Sequence, residues 1–266
     1  MALLATDLDG TVIPPERTPE RMEEIRAFRD SLSEADATLA YVTGRHLALA
    51  LRGLEEFELP VPDFLACDVG TSLYARRGDE YEPVPGYEVE MRGGFGGADG
   101  DAVRGLLSGV SGLRAQDRER QGEFKASYLL PWPEPDGLVA EVAERLADAG
   151  LKTMLVLSRD PLTGEGLLDV LPEGAAKDRA LHHLVDHLDL EAPDVVFAGD
   201  SGNDRAALLA GYRAVVVGNA PEALVHDVRA SARELGLGDL VYFARARYAA
   251  GVVEGCRHHG LFVHAG

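Results

Sequence analysis

The chain has 266 residues, enough for one large domain or two ordinary ones, and its 46% hydrophobic content supplies a packed core and excludes a disordered polymer. Against 26 Lys and Arg stand 45 Asp and Glu; the resulting formal charge of −19 repels nucleic acid and anionic lipid and argues against both as partners. No apolar window reaches the roughly 18 residues of a membrane span, the apolar start breaks at Asp7, and Cys67 and Cys256 make no disulfide framework, so a reduced, soluble, cytoplasmic protein is expected.

In chain order, ALLAT (2–6) has the composition of a buried strand. Glu20 to Leu32 follows as a helix, with Met22, Ile25, Phe28 and Leu32 on one face. ATLAYVT (37–43) is a second strand, His46 to Phe57 a helix, and DFLAC (63–67) a third strand. Residues 84–101, rich in Gly and acid, read as a boundary region whose GGFGG (93–97) is a mobile loop; it lacks the strand-to-helix setting of a dinucleotide site. A helix over 102–109, a strand at 125–130 and a helix from Pro135 to Ala149 come next. Strands at 152–158 and 167–172, joined by a turn, complete an α+β module. The strand–helix alternation then returns: strands at 194–200, 213–218 and 240–243, with helices near Asp204–Ala210, from Pro221, and over Ala246–His259. Such alternation predicts an α/β fold, a parallel sheet with helices on both faces, over residues 1–82 and 173–266, and residues 83–172 read as an inserted α+β domain.

The chemistry gathers at strand ends. DLDGT sets Asp7 and Asp9 one residue apart, and side chains at i and i+2 of an extended segment share a side. Both are therefore expected beyond the carboxyl edge of the sheet, where open α/β sheets bind ligands. Like charges so close need a shared cation or proton. An acidic turn has the same composition; a calcium loop does not fit, because its twelfth position, which requires Glu, is Thr18. The second strand ends in Thr43-Gly44-Arg45, either an ordinary helix cap or a hydroxyl donor to a phosphate oxygen. Lys177 opens a helix on the face of Leu181, Leu184, Val185 and Leu188; its charge opposes the helix dipole and needs an anion unless the head reaches water. VVFAGDSGND (195–204) repeats the first pattern, with Asp200 at a strand tip and Asn203 and Asp204 at a helix start. Several hard oxygen ligands at one edge describe a Mg²⁺ site.

DLDGT, VTGR, Lys177 and GDSGND together resemble the four motifs of the haloacid dehalogenase superfamily of phosphohydrolases, and the segment between the second and third resembles its C2-type cap. DVGTSLY (68–74), FKASYLL (124–130), LLDVLPEGAAKDRAL (167–181) and YAAGVVEGCRHHG (248–260) are similar to segments of the sucrose-phosphate phosphatase family. The resemblance implies a Rossmann-like core, Mg²⁺ dependence and an aspartyl-phosphate intermediate. It implies Asp7 as nucleophile, Asp9 as proton donor and acceptor with its carbonyl on Mg²⁺, and Asp200 as a further ligand. Thr43 and Lys177 would hold the phosphoryl oxygens, with Gly44 and Arg45 beside the substrate. Asn203 and Asp204 would steady the lysine or the water around the metal. In the cap, Lys125, Ser127 and the strand after Leu167 would face the sugar. The expected substrate is a small sugar phosphate resembling sucrose 6-phosphate, and a sugar-phosphate synthase is a candidate partner; no oligomeric state follows. The rivals are a phosphatase of mannosyl-3-phosphoglycerate or mannosylfructose phosphate, a phosphomutase, and a non-catalytic sugar-phosphate-binding module. A mere binder has no need of Asp9.

Overall fold

A computed structural model describes residues 2–160 and 163–262, apart from the Glu119 side chain. The chain divides into two compact units, Met1–Glu82 with Ala176–Gly266, and Pro83–Ala175. The return to the first unit comes at Ala176 rather than residue 173, because Glu173 still donates its N–H to the Gly94 and Lys152 carbonyls of the second.

The first unit begins with β1 (Ala2–Thr6), α1 (Pro19–Ser33), β2 (Ala37–Val42), α2 (Leu47–Glu56), β3 (Phe64–Cys67), β4 (Ser72–Arg77) and β5 (Glu80–Pro83). α1 starts where Thr18 accepts the Arg21 N–H and Pro19 takes the first turn, a position that needs no donor. α2 is capped by the His46 ring, which accepts from Leu49 N.

The second unit comprises α3 (Tyr87–Gly94), α4 (Gly100–Leu106), β6 (Arg114–Ala115), β7 (Ala126–Leu130), α5 (Leu138–Asp148), β8 (Thr153–Arg159) and β9 (Gly166–Pro172). Its sheet runs β6-β7-β9-β8, antiparallel throughout. Pro161 and Leu162, in the expected turn between the last two strands, lie outside the described residues. The boundary region expected at 84–101 contains a helix instead of a loop. Tyr87, Met91 and Phe95 recur every four residues and are buried, an apolar stripe that the neighbouring glycines disguise.

The first unit resumes with α6 (Lys177–His187), β10 (Val195–Gly199), α7 (Arg205–Leu208), β11 (Arg213–Val216), α8 (Glu222–Glu234), β12 (Val241–Phe243) and α9 (Tyr248–His258). The sheet order is β12-β11-β10-β1-β2-β3-β4-β5. From β12 to β3 every pairing is parallel, with β1 between β10 and β2. Alternate residues of β1 and β10 are buried on both faces, so helices cover both sides of the sheet. One face packs Leu4, Tyr41, Leu65 and Val196 against α1, α2 and α9.

The expected parallel sheet is present from β12 to β3, and the whole sheet is mixed because β4 adds an antiparallel margin beside β3. The cause is local. Asp68, Val69 and Gly70 take φ values of 53°, 62° and 88°, and this left-handed turn reverses the chain without a crossover helix.

Candidate active site

Asp7 leaves the end of β1 with its N–H on the Ala198 carbonyl of β10 (2.9 Å). Asp200 follows the tip of β10, and Lys177 is the first residue of α6. Residues far apart in the chain thereby meet at one sheet edge, the place where parallel sheets leave helix starts and loop N–H groups open to ligands.

Lys177 is wholly buried. Its Nζ donates to Asp7 Oδ1 at 2.6 Å and to Asp204 Oδ1 at 2.7 Å. Asp204 Oδ2 accepts from the backbone N–H groups of Asp200 (3.0 Å) and Ser201 (2.9 Å) and from the Ser201 hydroxyl (3.0 Å). Both Asp204 oxygens are thus committed, and the residue acts as a brace between Lys177 and the start of the loop after β10. Asp200 Oδ1 accepts from Thr11 Oγ1 at 3.0 Å. Among the described residues, nothing donates to Asp7 Oδ2 or Asp200 Oδ2.

Carboxylate oxygens of Asp7, Asp200 and Asp204 lie within 4.8 Å of one another. Three carboxylates face one ammonium, so the cluster lacks two positive charges. Burial pushes the Asp7 carboxyl up to about 7; Lys177 pulls it down, while Asp204 and Asp200 push it further up. Burial, then Asp204, lifts Asp200 to about 6 against the Thr11 hydrogen bond. Burial opposes the Lys177 charge, but Asp204 and Asp7 outweigh it and raise the lysine. Carboxylates that resist ionisation beside one another, with one oxygen each still open, are the donor set of a hard divalent cation.

The DLDGT loop is tightly built. The Leu8 carbonyl accepts from the N–H groups of Thr11, Val12 and Ile13, and Gly10 has φ +82°. A side chain on Gly10 would collide with the Asp200 carboxylate, so only glycine fits here. This tight turn also separates the two aspartates that alternation would put on one side. Asp7 points inward to Lys177, whereas Asp9 is exposed and pairs with Arg45. Arg45, expected at the substrate, is turned to that carboxylate, and Gly44 lies between it and Thr43.

Thr43 is buried, and its Oγ1 accepts from Arg45 N at 3.1 Å. No described residue accepts its hydroxyl proton, which is free for a ligand oxygen. Asn203 is exposed, and its Oδ1 lies 2.8 Å from the Ser201 hydroxyl, whose one proton it shares with Asp204 Oδ2, so the structure does not bring it to Lys177. In the second unit, Lys125 and Ser127 are buried and converge on Asp169: Ser127 Oγ donates at 2.6 Å and Lys125 Nζ lies at 3.8 Å.

Sequence reasoning missed two residues. Thr11 reads as the last letter of a turn, yet it fixes Asp200. Asn219 donates to the Gly10 carbonyl (2.7 Å) and accepts from Tyr248 N (2.9 Å), tying the Asp7 loop to the start of α9. The adjoining Gly218-Asn219 after a buried strand was its only signal.

The family model for sucrose-6F-phosphate phosphohydrolase matches residues 1–260. The chain belongs to that family. Membership in the sucrose-6F-phosphate phosphohydrolase family makes it a sugar-phosphate phosphatase of the haloacid dehalogenase type, a phosphoric monoester hydrolase. Among relatives of the family member, a putative HAD-like hydrolase of Nitrosococcus oceani is 34% identical over 96% of this chain and 71% of its own. A mannosylfructose-phosphate phosphatase of Agrobacterium fabrum is 33% identical over 98% of both chains. The fold matches the sucrose-phosphatase of Synechocystis sp. PCC6803, solved with sucrose and phosphate, with TM-score 0.75 and 23% identity over 98% of this chain and 99% of the other.

Proposed function

We propose that this protein hydrolyses a disaccharide phosphate resembling sucrose 6-phosphate, in the cytoplasm, through a phosphorylated Asp7. The observation that carries the proposal is Lys177, fully buried and bonded to both Asp7 and Asp204 beside the open oxygens of Asp7 and Asp200. Buried charge of this kind is costly, and its concentration in one place is characteristic of a site built for a charged ligand.

The Asp7 carboxylate attacks phosphorus as the bond to the sugar oxygen breaks, and Asp9 gives that oxygen a proton. Water then attacks phosphorus and gives its proton to Asp9, the bond to Asp7 breaks, and phosphate leaves. Lys177 and the Thr43 hydroxyl bind the phosphoryl oxygens and carry the charge that builds on them. Asp7, Asp200 and the Asp9 carbonyl are the groups that would hold Mg²⁺. Bound there, the ion would neutralise charge between carboxylate and phosphate. Lys125, Ser127 and Asp169 form a polar cluster suited to sugar hydroxyls. A synthase that makes the phosphate ester is the implied supplier of substrate.

The test is phosphate release from a panel of sugar phosphates, with Mg²⁺ and with EDTA, by the wild type and Asp7→Asn. Sucrose 6-phosphate should lead the panel, EDTA should stop release, and Asp7→Asn should fold normally while keeping under about 1% of activity, a loss above ~3 kcal/mol in the barrier. Activity above that level removes Asp7 as nucleophile. The full-length likeness to a mannosylfructose-phosphate phosphatase favours a second reading, with mannosylfructose phosphate as the better substrate. Both compounds are hexosyl-fructose phosphates, so the panel decides between them directly.

A further inference from the structure

Every nitrogen of the Arg45 guanidinium is already engaged by protein. Nε donates to Asp9 Oδ2 at 2.7 Å, Nη2 to Asp9 Oδ1 at 2.6 Å, and Nη1 to the Leu49 carbonyl at 3.2 Å. The backbone of Arg45 is pinned as well: its N–H donates to Thr43 Oγ1 and its carbonyl accepts from Asp68 N at 2.9 Å. Arg45 is 18% exposed and Asp9 53%, so the guanidinium is the fixed partner and the carboxylate the one that needs holding.

Gly53 supplies an independent observation. It sits inside α2, where alanine would suit the helix better. A side chain there would collide with Arg45 Nη1 and press on Cζ at 3.2 Å. Gly53 thus leaves room that a side chain would take from the Arg45 guanidinium and from Ile13 Cδ1, one turn along from the Leu49 carbonyl that accepts from Nη1.

We propose that Arg45 is a positioning residue for Asp9, and that Gly53 is the vacancy that admits its guanidinium. This rests on Asp9 being the proton donor and acceptor of the phosphatase described above. An exposed aspartate in a turn otherwise spreads over several rotamers, and proton transfer to a poor sugar leaving group depends strongly on orientation. The two-bond fork removes that freedom, and lysine cannot reproduce it.

The experiment compares steady-state kinetics of Arg45→Met, Arg45→Lys, Gly53→Ala, Asp9→Asn and the Asp9→Asn/Arg45→Met double variant on the best sugar phosphate of the panel. Melting temperature is measured for each. Arg45→Met, Arg45→Lys and Gly53→Ala should lower kcat about 10- to 100-fold, a misplacement effect, with KM within about twofold. The double variant should be no slower than Asp9→Asn alone. Kinetics are compared at a temperature where the melting curve shows each variant folded, so that a fall in kcat reports orientation and not loss of the fold, Arg45 being only 18% exposed. A raised KM with kcat intact makes Arg45 a substrate ligand and overturns the proposal. So does full rescue by lysine, or a double variant whose losses multiply. Full activity in Asp9→Asn overturns the parent assignment of Asp9 instead, and is told apart by that single variant.

Discussion

Thr11 shows how one hydroxyl sets the carboxylate proposed above to ligate Mg²⁺. It is buried, and its bond to Asp200 Oδ1 leaves Oδ2 as that carboxylate's open oxygen. Thr11→Val keeps the shape and removes the donor, so Asp200 can rotate and its carboxyl, already lifted by burial, rises further. Apparent Mg²⁺ affinity should fall about 10- to 100-fold, the usual effect of losing a group that orients a ligand. Magnesium activation curves or calorimetry measure this. Unchanged affinity would show that Asp200 is oriented by something else. At this scale the sequence was legible where a residue type is unusual for its place: a carboxylate at an apolar strand tip, a lysine at a helix start. Thr11 and Asn219 were not, because hydroxyl and amide groups near turns are ordinary, and only the folded distances reveal their partners. The Asp9–Arg45 pair was hidden for a related reason: 36 residues separate its members.

Among the elements, the loop after β1 depends on the far end of the chain. Asn219 joins the Gly10 carbonyl to the first N–H of α9, so Asn219→Ala frees two backbone groups at once in a half-buried place. We expect a loss of about 1–3 kcal/mol of stability, the penalty for leaving such groups unpaired. A fall in kcat should accompany it as the Asp7 loop loosens. Chemical denaturation and kinetics on the same preparation check both, and a fully stable variant would mean that water replaces the amide. The strand–helix alternation of the first unit was readable because fully buried strands are short continuous apolar runs. β4 and β5 were not, since SLYARR and EYEP carry their charges on a half-exposed margin of the sheet. α3 was masked by composition, its two buried residues, Tyr87 and Met91, outweighed by glycines and acids.

Over the whole molecule, the crowded carboxylates couple stability to pH and to metal. Asp7 and Asp200 both bind protons more tightly folded than unfolded, with folded values of about 7 and about 6 against 3.8. Where the folded state holds more protons, unfolding free energy falls as pH rises. Their stabilising contribution is therefore complete below about pH 4 and lost through about pH 6 to 7. A divalent cation held by the two carboxylates, as proposed, would remove this loss by favouring the ionised pair. Melting temperatures with EDTA and with Mg²⁺ should accordingly diverge as pH is raised from about 5 to about 8, Mg²⁺ being the more protective at the upper end. A gap that stays constant across that range would contradict the shifts.

The seat of β1, between β2 and β10, has a consequence in the cell. The Lys177–Asp7 contact joins groups 170 residues apart, and ribosomes add about 5–20 residues per second, so the nascent strand waits roughly 10–30 s for its counter-ion. Through that interval one side of an almost wholly apolar strand is open to any other extended chain. The rate of translation through the intervening segment governs how long newborn molecules stay prone to clumping, and chaperone demand should peak before β10 emerges.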